Sequence, residues 1–509
     1  MKEYDLVVVG SGVGLTVLNQ GLQRGMKCAL IEEGKLGGTC LTRGCIPSKV
    51  MVYPADLIRE AEHAETVGLD FELKNVDWDK IKKRVWHQID ESKGIEKGMS
   101  QVPNLDIYRG YGEFTDVYTF KVKLHDSGKY SNKFKGSRIV LASGARAIIP
   151  PISGLKKAGF VTSRSFFGPA FPDKPWKSLI IIGGGIIAAE FAHIFSAMGT
   201  AVTIVEMLPR ILSTEDPEVS SVVHTVFEEN MSVLVNYRAI EVNLRDGKKH
   251  VVIEQSSSGE RKEISADEVF LAVGRRSNAD LLKVENAGIE TDKKGWIKTN
   301  KYLETNVENV WAIGDANGEY QFRHKANHDA EVCARNIFSH SDHRTAVDYS
   351  AVPWAIFTHP QVGHVGLTEQ EAISKGYKIY VARNRYSRVA KGFAMGFRSE
   401  DKGDGLVKIV IDESYKILGA HIVGPHAALL VQPFVYLMNS GYHCSPRDKD
   451  SAEIPKYMQA CPGAGTFMPM YDSMVIHPSL NEVTGWAFSN MEPVNIGTGE
   501  NEHHHHHEQ

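Results

Sequence analysis

The sequence predicts an α/β protein that contains two Rossmann-like dinucleotide-binding units. The first observation is a repeated order of apolar run, glycine turn, helix-length segment and second apolar run, which starts near residue 5 and again near residue 178. The second is the composition, with 42% hydrophobic and 24% charged residues over a length of 509. A chain of this length and composition can form roughly three domains, each with its own core.

The first unit begins with the apolar run "DLVVVG" and the turn "GSGVGL". We assign Gly10, Gly12 and Gly14 to the turn, where the backbone can approach a pyrophosphate at the N-terminus of the following helix. Glu32 ends the second apolar run, about 20 residues further on, where a carboxylate can bind a ribose hydroxyl. Leu15 occupies the third fingerprint position, which usually holds a small residue. Because the strand, the helix and the acid are all present, the sequence favours a bound dinucleotide over a glycine turn without a ligand.

The second unit, "SLIIIGGGIIAAEFA", places Gly183, Gly185 and Ala188 at the three fingerprint positions. Glu206 ends its second apolar run, "AVTIVE". A carboxylate there binds free ribose hydroxyls and repels a 2′-phosphate, so the sequence favours NAD over NADP. Arg210 could serve a phosphate, but a surface position past the turn is the simpler interpretation. Two units predict two dinucleotides per chain.

The charge and the cysteine content exclude several classes of protein. A net charge of −4 gives no indication of nucleic-acid or membrane-surface binding. Six cysteines are too few for a disulfide scaffold, so we expect a soluble protein of the reducing cytoplasm. The polar tail "NIGTGENEHHHHHEQ" predicts disorder, and its five histidines are either native or an expression tag. The cysteines are Cys28, Cys40, Cys45, Cys333, Cys444 and Cys461.

The segment "GGTCLTRGCIPSK" holds Cys40 and Cys45 five residues apart. Zinc needs about four ligands, and no second Cys or His pair lies near these two in the sequence, so we expect no metal. Residues five apart on a regular helix are separated by about 7.5 Å along the axis, near the limit of disulfide reach. A bridge would need an irregular turn, which Gly44 permits, and would be easily reduced. A redox pair is therefore the favoured interpretation, provided that an electron carrier lies beside it.

This segment closely resembles the active-site signature of the class I pyridine nucleotide–disulfide oxidoreductases, and the resemblance extends from Tyr4 to about Trp486. It implies FAD- and NAD-binding domains, an α+β C-terminal dimerisation domain and a homodimer. The division that it implies is FAD-binding for residues 1–148 and 278–345, NAD-binding for 149–277, dimerisation for 346–488 and a disordered tail for 489–509.

The resemblance also implies a role for each residue of the reactive centre. Cys45 matches the thiol that contacts the flavin, and Cys40 matches the thiol that exchanges with the substrate. Lys49 matches the lysine beside the flavin, and Glu190 matches its ion-pair partner. The other residues that match cofactor contacts of the family are Gly38, Thr39, Gly112, Ser143, Gly144, Gly274, Asp315 and Arg323.

The C-terminal segment "MVIHPSLNEV" matches the His-Pro signature of the family. It implies that His477 is the proton acceptor, that Glu482 orients it, and that both reach the cysteines of the partner subunit across a shared active site. A histidine oriented by a carboxylate suits proton transfer near neutral pH. A second His-Pro at His359 shows that the dipeptide alone is not specific.

The substrate is the least determined part of the sequence prediction. Dihydrolipoamide dehydrogenase activity leads, and reduction of a low-molecular-weight disulfide of the mycothione or bis-glutamylcystine type is the alternative. A nucleotide-binding scaffold without chemistry is disfavoured by the complete set of reactive residues. Arg43, between the cysteines, could lower a thiol pKa, contact an acidic substrate or be solvated. Cys444 and Cys461 are expected to be inert thiols rather than an electron relay.

Overall fold

The structure, a computed structural model, describes residues 1–339, 344–413, 416–440, 469 and 472–478. Its N-terminal part alternates strands and helices as the sequence predicts. The elements of this part are β1 (Lys2–Val9), α1 (Gly14–Gln23), β2 (Cys28–Glu32), α2 (Gly38–Arg43), α3 (Cys45–His63), α4 (Trp78–Met99), β3 (Leu105–Asp116), β4 (Thr119–Leu124), β5 (Phe134–Leu141) and β6 (Ala145–Ala147).

The middle part of the chain repeats the alternation and then adds an antiparallel layer. Its elements are α5 (Leu155–Ala158), α6 (Ser163–Phe166), β7 (Ser178–Ile182), α7 (Ile186–Ala197), β8 (Ala201–Glu206), α8 (Pro217–Asn230), β9 (Ser232–Val235), β10 (Tyr237–Arg245), β11 (Lys248–Gln255), β12 (Arg261–Ala266), β13 (Glu268–Leu271) and β14 (Arg275–Ser277).

The rest of the described chain returns to the first sheet and then builds an antiparallel one. Its elements are α9 (Ala279–Leu282), β15 (Val310–Ala312), α10 (Arg323–Phe338), β16 (Pro353–Ile356), β17 (Val362–Gly366), α11 (Glu369–Ser374), β18 (Ile379–Arg385), α12 (Ala390–Ala394), β19 (Leu406–Asp412), β20 (Ile417–Val423), α13 (Ala427–Leu430) and α14 (Gln432–Asn439). Short 3₁₀ turns lie at Ala64–Val67, Val284–Ala287, Gly314–Asn317 and Tyr386–Arg388.

The first sheet is built around five parallel strands in the order β3-β2-β1-β5-β15, and β4 pairs antiparallel to both β3 and β5. Strand β1 lies at the centre, and its residues 6–9 are all buried. Because helices or other strands cover both faces of a parallel sheet, its central strand is continuously apolar instead of alternating. The carboxyl ends of β1 and β2 therefore meet at one edge, where the glycine turn and Glu32 lie.

The second sheet has four parallel strands in the order β13-β7-β8-β9. The long apolar segment from residue 178 to 208 forms β7, α7 and β8 here. In the described ranges, no helix combines the length and the apolar character needed to cross a bilayer. The short strands β6 and β14 pair antiparallel where the chain leaves and re-enters the region of the first sheet.

The third sheet is antiparallel, in the order β16-β17-β20-β19-β18, and short helices pack on it. Its β19 contributes Lys408, which is 1% exposed and donates to Asp216 and Glu218 at the start of α8. A buried ammonium group requires carboxylate partners, so this contact joins the third sheet firmly to the second unit. Two parallel dinucleotide-type sheets and an α+β part confirm the predicted fold class.

Candidate active site

The two cysteines of the signature lie on either side of a break between α2 and α3. Helix α2 ends at Arg43, α3 begins at Cys45, and Gly44 between them has φ −146° and ψ −117°. A Cβ atom on Gly44 would lie 3.0 Å from the Thr39 carbonyl oxygen, so a larger residue would push the two helices apart. Cys40 and Cys45 are free thiols in the structure, and each is the largest influence on the pKa of the other.

An ion pair connects this region to the second dinucleotide unit. Lys49, one turn into α3, donates to both carboxylate oxygens of Glu190 on α7, at 2.8 and 2.7 Å. The backbone N–H of Phe357 donates to the same carboxylate at 3.1 Å, and the Lys49 ammonium lies 4.7 Å from the centre of the Phe357 ring. Glu190 is 6% exposed, so these contacts compensate for the loss of its solvation.

The two thiols have opposite protonation tendencies. The hydrogen bond from Cys40, together with the positive charges of Lys49, His477 and Arg323, lowers the pKa of Cys45 to about 6. The same hydrogen bond, followed by burial, raises the pKa of Cys40 well above its ordinary value. The dithiol form is therefore a Cys45 thiolate that accepts a hydrogen bond from a Cys40 thiol.

His477 reaches the thiols of its own chain. Its Nε2 lies 3.3 Å from Cys40 Sγ, and its backbone N–H donates to Nδ1 of His324 on α10 at 3.4 Å. Burial lowers the pKa of His324 to about 4, so this ring is neutral and can accept the bond. The preceding Ile476 is buried against Val431 and neighbouring residues of the third sheet's helices, which fixes the approach of the segment.

The prediction that His477 serves the cysteines of the partner subunit stays a prediction beside this contact within one chain. In the structure, the segment that ends at His477 packs on α14 through Gln432, whose side chain donates to the Met474 carbonyl. The imidazole is thereby directed at Cys40 of the same chain. Glu482, the predicted orienting carboxylate, and Cys444 and Cys461 lie outside the described residues.

A cleft of about 340 Å³ runs from the first glycine turn to the thiols. The predicted residues that line it are Gly10, Gly12, Glu32, Gly38, Thr39, Cys40, Cys45, Lys49, Gly112, Ser143, Gly144, Glu190, Asp315, Arg323 and His477. Within the described chain, the buried Ser143 hydroxyl in this cleft has no hydrogen-bond partner. A polar ligand can supply that partner, so the elongated cleft suits a dinucleotide whose redox-active end lies at the thiols.

The glycines of the first turn have separate purposes. Gly10 has φ +100°, and a Cβ there would collide with the Ala142 carbonyl, so this glycine permits the turn itself. A Cβ on Gly12 would meet only the Cα of Gly38, at 3.8 Å, so this position leaves room for a ligand. A Cβ on Gly14 would lie 2.7 Å from the Val8 side chain. Gly14 therefore provides the close packing of helix on strand that Leu15 cannot provide at the usual third position.

The two predicted ribose-binding carboxylates have the same environment in the two units. Glu32 accepts hydrogen bonds from the backbone and hydroxyl of Ser11, at 2.7 and 2.6 Å, and from the backbone of Gly34 at 2.6 Å. Glu206 accepts from the backbones of Gly184 and Leu208 at 2.5 and 2.8 Å. Each carboxylate is held by its own glycine turn and keeps acceptor capacity for a hydroxyl.

The glycine turn of the second unit does not line the main cleft, although Glu190 on α7 does. Gly183 has φ +112° and a Cβ there would collide with the Ala272 carbonyl, whereas a Cβ on Gly185 would meet nothing within 4 Å. Ala188 is fully buried beneath the turn, and Gly274 has φ +117° close to Ile148. The second turn thus repeats the first: one glycine permits the left-handed backbone conformation of the turn, and the other leaves space for a ligand at the N-terminus of α7.

Matches to family models agree with this geometry. The pyridine nucleotide-disulphide oxidoreductase model matches residues 4–330, and the dimerisation-domain model of the same family matches residues 352–464. The chain belongs to the pyridine nucleotide-disulphide oxidoreductase family. Members of this family are FAD-containing, NAD(P)H-dependent disulfide oxidoreductases, and the second match supports a homodimer.

Relatives with different substrates are about equally similar to this oxidoreductase. Mycothione reductase of Mycobacterium tuberculosis is 32% identical over 87% of this chain and 94% of its own length. Dihydrolipoyl dehydrogenase of Chlamydia pneumoniae is also 32% identical, over 84% of this chain and 89% of its own. The HOCl-induced flavoprotein disulfide reductase RclA from Escherichia coli has the same fold, with a TM-score of 0.73 at 24% identity over 96% of this chain and its whole length.

Arg43 does not contact the thiols. Its guanidinium lies 3.2 Å from the Glu33 carboxylate, which also accepts two hydrogen bonds from Arg164 at 2.9 and 2.7 Å. The two arginines lower the pKa of Glu33 against the effect of burial. The ion pair with Glu33 is the contact that the structure assigns to Arg43, and its roles toward a thiol, an acidic substrate or solvent stay predictions. Its partner is ten residues upstream, and no sequence pattern signals the pairing.

The two glycines of the second turn should respond differently to alanine. Gly183→Ala forces a side chain into a left-handed backbone conformation against a carbonyl, so we expect it to lose about 1–3 kcal/mol of stability or more. Gly185→Ala should keep wild-type thermal stability but bind NADH far more weakly, because its methyl group occupies the space for the pyrophosphate. Thermal unfolding and NADH titration measure the two effects. Normal NADH binding by Gly185→Ala would contradict this assignment.

The protonation of Cys45 gives a pH prediction. In the two-electron-reduced holoenzyme, the long-wavelength thiolate–flavin absorbance should persist above about pH 6 and disappear below it, because the lowered pKa keeps Cys45 ionised only above that value. Cys45→Ser should lack the band at every pH. Cys40→Ser is the matched control, since it cannot form the disulfide and should show the band without reduction. A band in Cys45→Ser would refute the assignment of the thiolate.

Proposed function

We propose that this oxidoreductase transfers electrons between NAD(H) and a dithiol or disulfide through the Cys40–Cys45 pair. The observation that carries the proposal is the 3.3 Å approach of His477 Nε2 to Cys40 Sγ beside a second thiol with a lowered pKa. Thiol–disulfide exchange needs a thiolate leaving group and a base that takes and returns protons. These three side chains supply both requirements.

In the oxidising direction, His477 takes the proton of a substrate thiol, and the resulting thiolate attacks Cys40 Sγ of the protein disulfide. The S–S bond breaks and Cys45 leaves as a thiolate, which Lys49 and Arg323 stabilise electrostatically. The second substrate thiol then attacks the substrate sulfur of the mixed disulfide and releases Cys40. His477 gives the first proton to the departing Cys40 sulfur and takes the proton of the second substrate thiol. The substrate has lost two electrons and two protons: the protein pair holds both electrons and one proton, on Cys40, and His477 holds the other proton.

The NAD half of the reaction restores the protein disulfide. When bound in the cleft, FAD supplies the electron conduit between the cysteine pair and the nicotinamide ring. Overall, NAD⁺ accepts two electrons and one proton, and the second proton is released. Two parts of this chain contribute to the NAD half of the reaction. One is Lys49, held by Glu190 at the thiol end of the cleft. The other is the pair of glycine turns, one in each dinucleotide unit, that hold Glu32 and Glu206.

Dihydrolipoamide is the substrate that we favour, with a low-molecular-weight disulfide of the mycothione or bis-glutamylcystine type as the alternative. The dihydrolipoyl dehydrogenase relatives support the first, and the mycothione reductase relative supports the second. A lipoyl domain is a candidate partner for the first. The domain boundaries and the cytoplasmic location expected from the sequence remain predictions. NAD is favoured over NADP because the buried Glu206 carboxylate would repel a 2′-phosphate.

A substrate panel tests the proposal directly. Dihydrolipoamide with NAD⁺ should turn over fastest, and NADP⁺ should be a much poorer acceptor than NAD⁺. The comparison reactions are NADH oxidation with lipoamide, mycothione disulfide, bis-glutamylcystine and glutathione disulfide, of which we expect glutathione disulfide to be inactive. Faster turnover of mycothione disulfide or bis-glutamylcystine would replace the favoured substrate with the alternative. No turnover of any dithiol or disulfide by the FAD-loaded protein would refute the proposed function.

Removal of the base should separate the two halves of the reaction. We expect His477→Gln to slow dithiol oxidation roughly 10²–10⁴-fold, the usual range for a positioned proton acceptor, while NADH-driven reduction of FAD survives. Glu482→Gln should cost less, because it changes the orientation of the base without removing it.

His359→Gln is the matched control for the His-Pro sequence, since His359 lies 3.5 Å from Glu60 on α3 and not at the thiols. It should retain dithiol oxidation near the wild-type rate. Equal losses in His359→Gln and His477→Gln would show that His477 acts through folding and not as the base.

A further inference from the structure

The contact between α3 and α7 contains polar pairs beyond the Lys49–Glu190 ion pair. Nε2 of His193 on α7 donates to the Asp56 carboxylate on α3 at 2.7 Å. Further along, the Arg59 guanidinium donates to the Ser196 hydroxyl at 2.9 Å. Helix α3 carries the thiol Cys45, and α7 begins at the turn of the second dinucleotide unit. The polar pairs therefore connect the helix of the thiol to the helix of the NAD-binding turn.

The spacing places each set of side chains on one helix face. Glu190, His193 and Ser196 are separated by three residues each, and Asp56 and Arg59 have the same separation. Residues three or four apart on a helix are neighbours on one side, so the pairs form a ladder along the contact. His193 is 1% exposed, and burial lowers its pKa, so it is a neutral donor to the Asp56 carboxylate.

The apolar part of this contact belongs to one large buried cluster. The cluster includes Met51 and Val52 of α3 and Ala189, Ala192 and Phe195 of α7. A buried polar pair restrains helix register more sharply than apolar packing, because any register that separates its members leaves buried polar groups unpaired. A shift of α7 by one residue would move Glu190 about 1.5 Å along the axis, and a shift by one turn about 5.4 Å.

We propose that Asp56 and His193 are positioning residues for the NAD half-reaction. They fix the register of α7 against α3, and thereby hold Glu190 on Lys49 and set the position of the second glycine turn relative to the thiol end of the cleft. Hydride transfer depends steeply on the distance between donor and acceptor, so a small change of register slows it strongly. The inference rests on the NAD(H)–FAD part of the proposed function and not on the identity of the dithiol.

The test compares two routes to the same reduced enzyme. In the first route, holoenzyme is mixed anaerobically with NADH in a stopped-flow instrument, and the appearance of the thiolate–flavin band is followed. The electrons of this route come from NADH bound at the second unit, whose turn begins α7. Excess dithiothreitol produces the same band through Cys40 and needs neither NADH nor the physiological substrate. We expect His193→Leu and Asp56→Ala to slow the limiting NADH rate about 10–100-fold. The dithiothreitol rate, the FAD content and the apparent affinity for NADH should stay near wild type.

Conservative variants distinguish positioning from a general loss of structure. His193→Gln and Asp56→Asn each retain a side chain that can complete the hydrogen bond, so both should stay within about threefold of the wild-type NADH rate. His250→Leu is the matched control, because His250 pairs with Glu263 at 3.0 Å on the exposed β11–β12 face, away from α3 and α7. It should leave both rates unchanged.

A double variant tests whether the two residues act as one unit. His193→Leu combined with Asp56→Ala should be no slower with NADH than the slower single variant, because the hydrogen bond can be lost only once. Wild-type NADH rates in folded His193→Leu, multiplicative slowing in the double variant, or equal slowing of the NADH and dithiothreitol routes would each overturn the proposal. Absence of lipoamide turnover would refute the favoured substrate and leave this test intact.

Discussion

The break in the helix at Gly44 is the constraint on which the active centre depends. On one continuous helix, Cys40 and Cys45 would point in different directions and lie near the limit of disulfide reach. The break starts α3 at Cys45 and leaves Cys40 within α2, so that the thiols share a hydrogen bond. Their interaction favours a thiolate at Cys45 and a protonated thiol at Cys40. Cys45 can therefore act as the leaving group, and Cys40 can exchange a proton with His477.

Helix α3 extends this centre into the rest of the molecule. Its first turns carry Cys45 and Lys49, and its later turns contact α7 through Asp56 and Arg59. Buried charges and polar groups are costly unless they are paired, so each of these contacts restrains the helix in one arrangement. Helix α3 thus relates the thiol chemistry to the second dinucleotide unit, because a displacement of α3 against α7 would move Cys45 relative to that unit.

The sequence was sufficient for those features that depend on local geometry. The glycine turns, Glu32 and Glu206 follow from strand–turn–helix units, and the redox pair follows from cysteine spacing beside a glycine. Contacts between distant segments could not be derived in this way. The pairs Asp56–His193 and Arg43–Glu33 depend on how helices and loops pack, and no periodicity encodes them. The contact of His477 with Cys40 depends on how Ile476 packs in its own chain, and the site shared across a dimer interface stays a prediction from the resemblance.

The central claim is that electrons enter and leave through a Cys40–Cys45 disulfide. The most direct measurement is alkylation of the native holoenzyme with iodoacetamide, before and after one equivalent of NADH under anaerobic conditions, with each cysteine quantified by mass spectrometry. The buried Cys28 and Cys333 are internal controls and should stay unlabelled throughout. The account predicts no label on Cys40 or Cys45 before reduction, and label on at least one of the two after it. Labelling of either before NADH is added, or of neither afterwards, would contradict it.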